Sequence, residues 1–235
     1  MPTYIFGEGP TATVSGTHKD TYIDRFISAN DAFGTEATLL VDNGDGALTL
    51  MRFDISSIPA GETIASAVLT LYVNFAPFGG SSLSAHRLTT NWGVTNTAEG
   101  ASESPAASSQ ATNARAFANP TDTPWAVGAG GSLAAGDYDG VAEATTAMTG
   151  AEGAGDPITW DLATAVGEWH AGAQPNYGIV LIGNNANQGT FDSQESVTAA
   201  ERPLLTVVTT GGAVVAGSAA RHSPSRLSLN SGLSL

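Results

Sequence analysis

The sequence predicts an all-β fold, a jelly-roll-like antiparallel β-sandwich with one short helix and a long loop-rich excursion. Apolar and polar residues alternate through much of residues 4–88, as they do in strands that bury one face. Glycine, proline and asparagine separate these runs, and such residues are typical of turns. Charged residues make up only 13% of the chain, whereas helical proteins carry many more lysines and glutamates on their helix surfaces.

The first half of the chain contains alternating or apolar runs of strand length. The predicted strands are residues 21–27, 47–53, 64–73 and 83–88, and the third is apolar enough to be central in a sheet. Residues 42–46 read as a hairpin turn, because Asn and Gly tolerate the positive φ of tight turns. The same residues could be read as a calcium loop, but Gly44 stands where that loop needs its third-position ligand. We therefore favour the turn.

The composition changes in the middle of the chain. From about residue 96 to 156 it is rich in Ala, Gly, Ser and Thr, which predicts a loop-rich excursion. A loop of this length needs anchors to stay compact. The large residues available as anchors are Phe117, Trp125, Leu133 and Tyr138.

Regular structure is predicted again after the excursion. Leu162, Val166 and Trp169 lie four and three residues apart, so residues 162–170 should form a short amphipathic helix on the sheet. Residues 178–182 and 204–208 are apolar and read as buried strands. We assign the sandwich to residues 1–210, and residues 211–235, where Ser and Leu alternate, to a C-terminal extension.

Charge and composition exclude several partners. The formal net charge is −14, and Lys19 is the single lysine beside seven scattered arginines. Without clustered cations we expect no nucleic-acid binding, and a strongly anionic polysaccharide is a poor ligand for the same reason. The chain has no cysteine, which excludes disulfides and thiolate metal sites. The N-terminus lacks the features of a signal peptide, and no apolar run is long enough for membrane insertion.

An ordered set of short segments resembles the DNRLRE-type domain, a β-sandwich module related to carbohydrate-binding modules. The matching segments are residues 21–24, 33–35, 51–59, 67–73, 90–93, 160–169, 176–179, 191–195 and 202–205. The resemblance covers roughly residues 15 to 210. It implies a jelly-roll-like sandwich and a glycan-binding role, but it transfers no binding site, because one fold serves many functions.

No pattern of residues indicates catalysis. The chain lacks a nucleophile elbow, a phosphate loop and a zinc-protease motif, so we expect a non-catalytic protein without a cofactor. Asp161 and Glu168 could be read as a glycosidase pair, but Asp161 precedes the predicted helix, where a carboxylate caps exposed N–H groups. The dispersed histidines have no metal-ligand spacing, so we expect no metal site; they are His18, His86, His170 and His222.

Arg52 and Asp54 form a second candidate pair. They lie two residues apart on a predicted strand and so point to the same face. They could form an ion pair that fixes the sheet edge or the turn at Pro59, or they could contact a sugar. We favour the structural role.

The candidate ligand site lies in the excursion. Trp125 and Tyr138, with Asp137 and Asp139 flanking the tyrosine, offer the aromatic and polar groups that sugar binding uses. Anchoring of the loop explains the same residues equally well. Trp160 and Trp169 lie at core positions of a strand and a helix, so we assign both to packing.

Two functions from different classes fit the sequence. The favoured one is a non-catalytic structural or decoration protein of a bacteriophage virion, in the head or tail-associated. An extracellular-type fold without a signal peptide or an attached catalytic domain motivates it. Assembly would use the sandwich and the C-terminal extension, by addition of a strand to a partner, in a homo-oligomer for which a trimer is our expectation. The residues of this assembly tail are Arg221, Arg226, Leu227, Leu229, Leu233 and Leu235.

The alternative function is a carbohydrate-binding module for neutral glycans, with an extracellular location. The two functions are compatible, because a virion surface protein can also adhere to glycans.

Overall fold

A computed structural model describes the chain in segments. The described residues are 1–16, 18–24, 31–42, 46–75, 80–93, 102–103, 111, 116, 124–126, 133–184 and 189–211. The strands are β1 (Thr3–Gly7), β2 (His18–Asp24), β3 (Ala32–Phe33), β4 (Thr38–Val41), β5 (Ala47–Phe53), β6 (Thr63–Phe75), β7 (Ser82–Arg87), β8 (Ser102–Glu103), β9 (Ala144–Ala147), β10 (Pro157–Asp161), β11 (Ile179–Gly183), β12 (Gly189–Asp192) and β13 (Leu204–Thr210). The helices are α1 (Ala163–His170) and a 3-10 helix at Ala199–Glu201.

The strands form two main antiparallel sheets, so the predicted all-β sandwich is confirmed. The six-stranded sheet has the order β1-β13-β6-β12-β4, with β10 also paired to β6. The five-stranded sheet has the order β2-β5-β11-β7-β9. A further short pair joins β3 to β8.

Strand β6 organises the six-stranded sheet. It is 13 residues long and pairs with β13, β10 and β12. Its side chains alternate, as in any strand with one buried face: Leu69 and Leu71 are fully buried, while Thr70 and Tyr72 are partly exposed. The buried side chains pack between the two sheets with residues such as Met51. The prediction of a central strand at residues 64–73 is therefore confirmed.

The five-stranded sheet is covered on its other face as well. A second hydrophobic core includes Leu48 and Leu50 of β5, together with Trp92, Trp125 and Leu133. Parts of the predicted excursion thus lie against this sheet, as the anchoring hypothesis requires for Trp125 and Leu133; Phe117 lies outside the described residues.

Lys19 is fully buried at the same face. Its ammonium nitrogen donates to the Trp92 carbonyl oxygen at 2.5 Å and lies 4.1 Å from the centroid of the Trp92 ring. A cation over an indole face is attracted by the ring quadrupole. The buried ammonium of the single lysine therefore has both a hydrogen-bond acceptor and an aromatic partner in Trp92.

Residues 43–45 of the turn predicted at residues 42–46 lie outside the described residues, so the structure describes only the strands on either side. A hydrogen bond joins the Asp42 N–H to the Ala47 carbonyl at 2.9 Å, but β4 belongs to the six-stranded sheet and β5 to the five-stranded sheet. The strands on either side of the predicted turn therefore belong to different sheets. A turn sequence specifies a change of chain direction, but it does not specify which sheet each flanking strand joins.

The helix prediction is confirmed by α1. Val166 is fully buried in the core between the sheets, and Leu162 is the N-cap residue. The Asp161 carboxylate accepts the Ala163 N–H at 3.0 Å, so it satisfies one N–H of the first turn, as predicted, from the position before the N-cap.

The six residues of the assembly tail lie outside the described residues. Trimeric assembly through the C-terminal extension, residues 211–235, therefore stays a prediction. Within the described segments, no helix is long and apolar enough to span a membrane.

We predict that Gly178→Ala destabilises the fold strongly. Gly178 has φ +87°, and an added Cβ would lie 2.1 Å from the Met51 carbonyl oxygen, so the variant should lose about 3 kcal/mol or more in urea unfolding. Gly172 is the matched control, because its φ is +70° with nothing within 4 Å of an added Cβ. Gly172→Ala should cost only about 1 to 2 kcal/mol. Equal losses in the two variants would contradict the close approach at Gly178.

His18 predicts a specific pH dependence of stability. Its ring stacks on Phe53 with centroids 4.4 Å apart, and burial lowers the pKa of His18 to about 3. The Asp20 carboxylate lies 3.2 Å from Nε2 and would favour a charged ring, but desolvation outweighs it. As the pH falls below 6.5, the ordinary pKa of histidine, His18 is protonated in the unfolded chain but stays neutral in the folded protein. The free energy of unfolding should therefore fall by about 1.4 kcal/mol per pH unit towards pH 3.

The variant His18→Phe tests this assignment. Urea unfolding of the two proteins should show a shallower decline for the variant between about pH 6.5 and pH 5, because phenylalanine takes up no proton. Above the ordinary histidine pKa the two proteins should have parallel pH profiles. Parallel profiles over the acidic range as well would show that His18 does not cause the decline.

Candidate functional site

The residues predicted to bind a ligand in the excursion have mostly structural contacts. Trp125 is 2% exposed and belongs to the second core. Asp137 is fully buried, and its carboxylate accepts hydrogen bonds from the Thr90 hydroxyl and from the Ala126 and Ala134 N–H groups at 3.0, 2.7 and 3.2 Å. For Trp125 and Asp137 the structure agrees with the anchoring alternative.

Tyr138 and Asp139 lie nearer the surface. The Tyr138 ring is partly exposed and meets His86 edge to face, with centroids 5.5 Å apart. Asp139 accepts the Val141 N–H at 3.0 Å, and its carbonyl oxygen contacts His86 Nδ1 at 2.8 Å. A ligand contact by these two residues stays a prediction.

The four tryptophans differ in exposure. Trp92, Trp125 and Trp160 are 0%, 2% and 1% exposed. The indole N–H of Trp92 donates to the Tyr177 carbonyl and that of Trp160 to the Leu83 carbonyl. Trp169 is partly exposed, and its buried Nε1 has no acceptor among the described residues.

Trp169 borders a cleft at one end of the sandwich, where the β5–β6 connection faces the end of α1. We call it the Trp169 cleft. Its volume is about 310 Å³, within the range of small-ligand sites. Its lining residues are Arg52, Asp54, Ile55, Ser56, Ile58, Ala60, Trp169, His170 and Asn176. Trp169 packs against the core between the sheets, as its helical position predicts, and its side chain also reaches this cleft.

Local hydrogen bonds hold the walls of the cleft. Asp54 accepts the Ser56 N–H at 2.9 Å and so fixes the turn that follows β5. Asn176 donates to the Phe53 carbonyl at 2.8 Å and accepts the Gly178 N–H at 3.1 Å. His170 Nε2 contacts the Glu62 carbonyl oxygen at 3.0 Å. The cleft is therefore shaped before any ligand enters.

Arg52 is a residue of β5 that lines the cleft. Its guanidinium donates to the Asn91 side-chain oxygen at 2.9 Å and lies 6.0 Å from the Tyr177 ring centroid, while its buried Nε has no acceptor among the described residues. Burial lowers the pKa of Arg52, and the charge of Asp54 opposes this effect. The predicted Arg52–Asp54 pair thus shares one cleft, and Asp54 has the structural role at the turn.

A second cleft lies on the other side of the chain segment that follows α1. It measures about 410 Å³ and is lined by Arg87, Leu88, Thr89, Asp139, Glu168, Gln174 and Pro175. Arg87 forms ion pairs with Glu143 and Glu168, so the positive charge of Arg87 is compensated by protein carboxylates. Glu168 pairs with Arg87 and Asp161 caps α1, which agrees with the structural interpretation of these two carboxylates.

The lysine and arginine side chains of the described segments all have protein partners. Lys19 and Arg52 contact Trp92 and Tyr177, Arg87 pairs with two glutamates, and Arg202 donates to the Ser196 carbonyl. Among the described residues, no group of three or more histidines or acidic residues is arranged to hold a metal ion.

The described structure is thus an antiparallel sandwich with a small polar cleft beside a partly exposed tryptophan. The sequence matches the profile of carbohydrate-binding module family 96 over residues 11–123. No curated protein matches the chain. The match supports a domain like a carbohydrate-binding module; the narrower resemblance to the DNRLRE-type domain stays a prediction. The matched range contains Arg52 and Asp54 but not Trp169.

We predict that Asp137→Ala lowers the free energy of unfolding by about 2 to 3 kcal/mol, because it leaves three donors without their shared acceptor. Asp139→Ala is the control, since that carboxylate accepts one exposed N–H, from Val141, and should cost less than about 1 kcal/mol. Chemical denaturation measures both. Equal free energies of unfolding for Asp137→Ala and Asp139→Ala would contradict the anchoring role of Asp137.

Proposed function

We propose that the protein is a non-catalytic module that binds neutral glycans through the Trp169 cleft. One observation carries this proposal. Trp169 alone among the four tryptophans has a partly exposed side chain, and that side chain lines a polar cleft. The match with a carbohydrate-binding family supports the ligand class.

The chemistry of the cleft suits a sugar ring. An indole ring offers flat apolar surface for the C–H groups of a sugar, and surrounding polar groups fix its orientation. Here Arg52, Asp54 and Ser56 provide those groups on one wall, and His170 and Asn176 lie beside the tryptophan. This combination of one aromatic ring and several polar side chains serves binding without a reaction.

The charge of the protein favours a neutral ligand. The formal net charge is −14, so an acidic polysaccharide is repelled at long range. Within the cleft, the positive charge of Arg52 lies beside the carboxylate of Asp54. A polyanion would therefore meet no uncompensated cation among the described lining residues.

The two functions that the sequence leaves open, a virion structural protein and a carbohydrate-binding module, are not equally well supported. A virion subunit depends on the C-terminal extension, which lies almost entirely outside the described residues, and no comparison bears on virion association. Glycan binding has the family match and a cleft of suitable size and chemistry. We therefore rank glycan binding first, with an extracellular or surface-associated location.

We predict that Trp169→Ala weakens binding to neutral glycans at least tenfold, which corresponds to about 1.4 kcal/mol. Affinity electrophoresis against a panel of neutral polysaccharides identifies a ligand, and calorimetry then measures its affinity. Phe75→Ala is the matched control, because Phe75 is 65% exposed at the far end of β6 from the cleft.

Circular dichroism and thermal unfolding of each variant confirm that it is folded. Equal losses for Trp169→Ala and Phe75→Ala would indicate non-specific contact with exposed aromatic rings. Full binding by a folded Trp169→Ala protein would place the site elsewhere. If the wild-type protein binds none of the neutral glycans, the proposed function is wrong.

A further inference from the structure

We propose that one linear glycan chain occupies both clefts and crosses the segment between them, so that the ligand is a stretch of several sugar units and not a single sugar. This inference rests on the proposed function and adds a second binding site to it. The second site is the cleft lined by Arg87, Glu168 and Gln174, which we call the Arg87 cleft.

The two clefts lie side by side at one end of the five-stranded sheet. Ile179 of β11 lies opposite Met51 of β5 on one side and opposite Arg87 of β7 on the other. Arg52, which follows Met51, lines the Trp169 cleft, and Arg87 lines the other cleft. Neighbouring strands are about 4.8 Å apart, so the two bordering strands are about 10 Å apart across the sheet. A short oligosaccharide is long enough to cover that distance.

The chain that follows α1 separates the two clefts. Glu168 lines the Arg87 cleft, and the next residue, Trp169, lines the Trp169 cleft. Likewise, Pro175 lines the Arg87 cleft and Asn176 lines the Trp169 cleft. Consecutive Cα atoms are about 3.8 Å apart. A single stretch of backbone therefore forms the wall between the clefts.

This separating segment is open to solvent and held in place. Residues 171–175 are all exposed. The Gly172 N–H donates to the Trp169 carbonyl at 3.1 Å, and the Ala173 N–H donates to the Glu168 carbonyl at 2.9 Å. A ligand can therefore pass over the segment from one cleft to the other without rearrangement of the protein.

The Arg87 cleft offers the polar groups that sugar hydroxyls need. Its volume is about 410 Å³, within the range of small-ligand sites. The Glu168 side chain is 41% exposed and paired with Arg87, so its carboxylate is held in place as an acceptor. Asp139 is a further acceptor, and the amide of Gln174, which is exposed, both donates and accepts.

The two clefts have unequal parts in this proposal. The described lining of the Arg87 cleft contains no aromatic ring, whereas Trp169 offers the apolar face on which a sugar packs. The Trp169 cleft therefore holds the first sugar, and the Arg87 cleft adds hydrogen bonds to a chain that is already held. Affinity should then increase with the length of the glycan.

Calorimetry with oligosaccharides of increasing length tests the inference. The probes are linear β-1,4-linked oligomers of glucose, mannose and xylose, from disaccharide to hexasaccharide. In the series that binds, we expect the hexasaccharide to bind about tenfold more tightly than the disaccharide, because additional hydrogen bonds form in the Arg87 cleft. Each protein should bind one hexasaccharide.

A double variant separates the two clefts. Asp139→Ala combined with Gln174→Ala removes polar groups from the Arg87 cleft and leaves the lining of the Trp169 cleft unchanged. Affinity for the hexasaccharide should fall about tenfold, to that of the disaccharide, while affinity for the disaccharide should stay the same. Phe75→Ala is the control and should keep the full dependence on length. Thermal unfolding confirms that each variant is folded.

The outcomes separate this inference from the proposed function. Equal affinity for the disaccharide and the hexasaccharide would overturn the two-cleft inference and leave glycan binding intact. A folded double variant that keeps the full dependence on length would also overturn it, and so would two hexasaccharides bound per protein. Absence of binding to every oligosaccharide and every neutral polysaccharide would overturn both proposals.

Discussion

The structure depends on the need to cover both faces of the five-stranded sheet. Met51 and Leu50 are neighbours on β5, yet each is fully buried in a different core. A sheet with two apolar faces has to be packed on both sides. The six-stranded sheet covers one face, and segments around Trp92, Trp125 and Leu133 cover the other. The excursion is therefore part of the packing of the domain, and the buried carboxylate of Asp137 holds it there.

This two-sided packing determines which aromatic side chains remain accessible at the surface. Of the described aromatic residues of the excursion, Trp125 fills the second core and Tyr138 packs against it, so Trp125 offers little surface to solvent. Aromatic and polar surface instead occurs together at the end of the sandwich, where the turn after β5 meets the last turn of α1. Val166 directs α1 onto the core, and Trp169, one turn later, is held partly against the core and partly in the cleft.

Periodicity allowed the elements to be predicted, but not the site. The alternation in residues 64–73 correctly predicts both the strand β6 and its buried face, and the spacing of Leu162 and Val166 correctly predicts α1. For Trp125 the sequence leaves ligand binding and loop anchoring both open, because a loop-like composition does not indicate which side of a sheet the loop covers. The nearly continuous apolar run Ala47–Met51 was the available signal, since a strand buried on both faces lacks alternation. For Trp169, helical spacing indicates the direction of the side chain, but not how far its ring extends beyond the packed surface.

The burial of Lys19 has a practical consequence. Acylating reagents modify lysine through its neutral ε-amine, and the only lysine of the chain is fully enclosed against Trp92. Its acylation therefore has to wait until the second core opens. The rate of this single chemical event, followed by mass spectrometry, measures how often the protein exposes that core under native conditions.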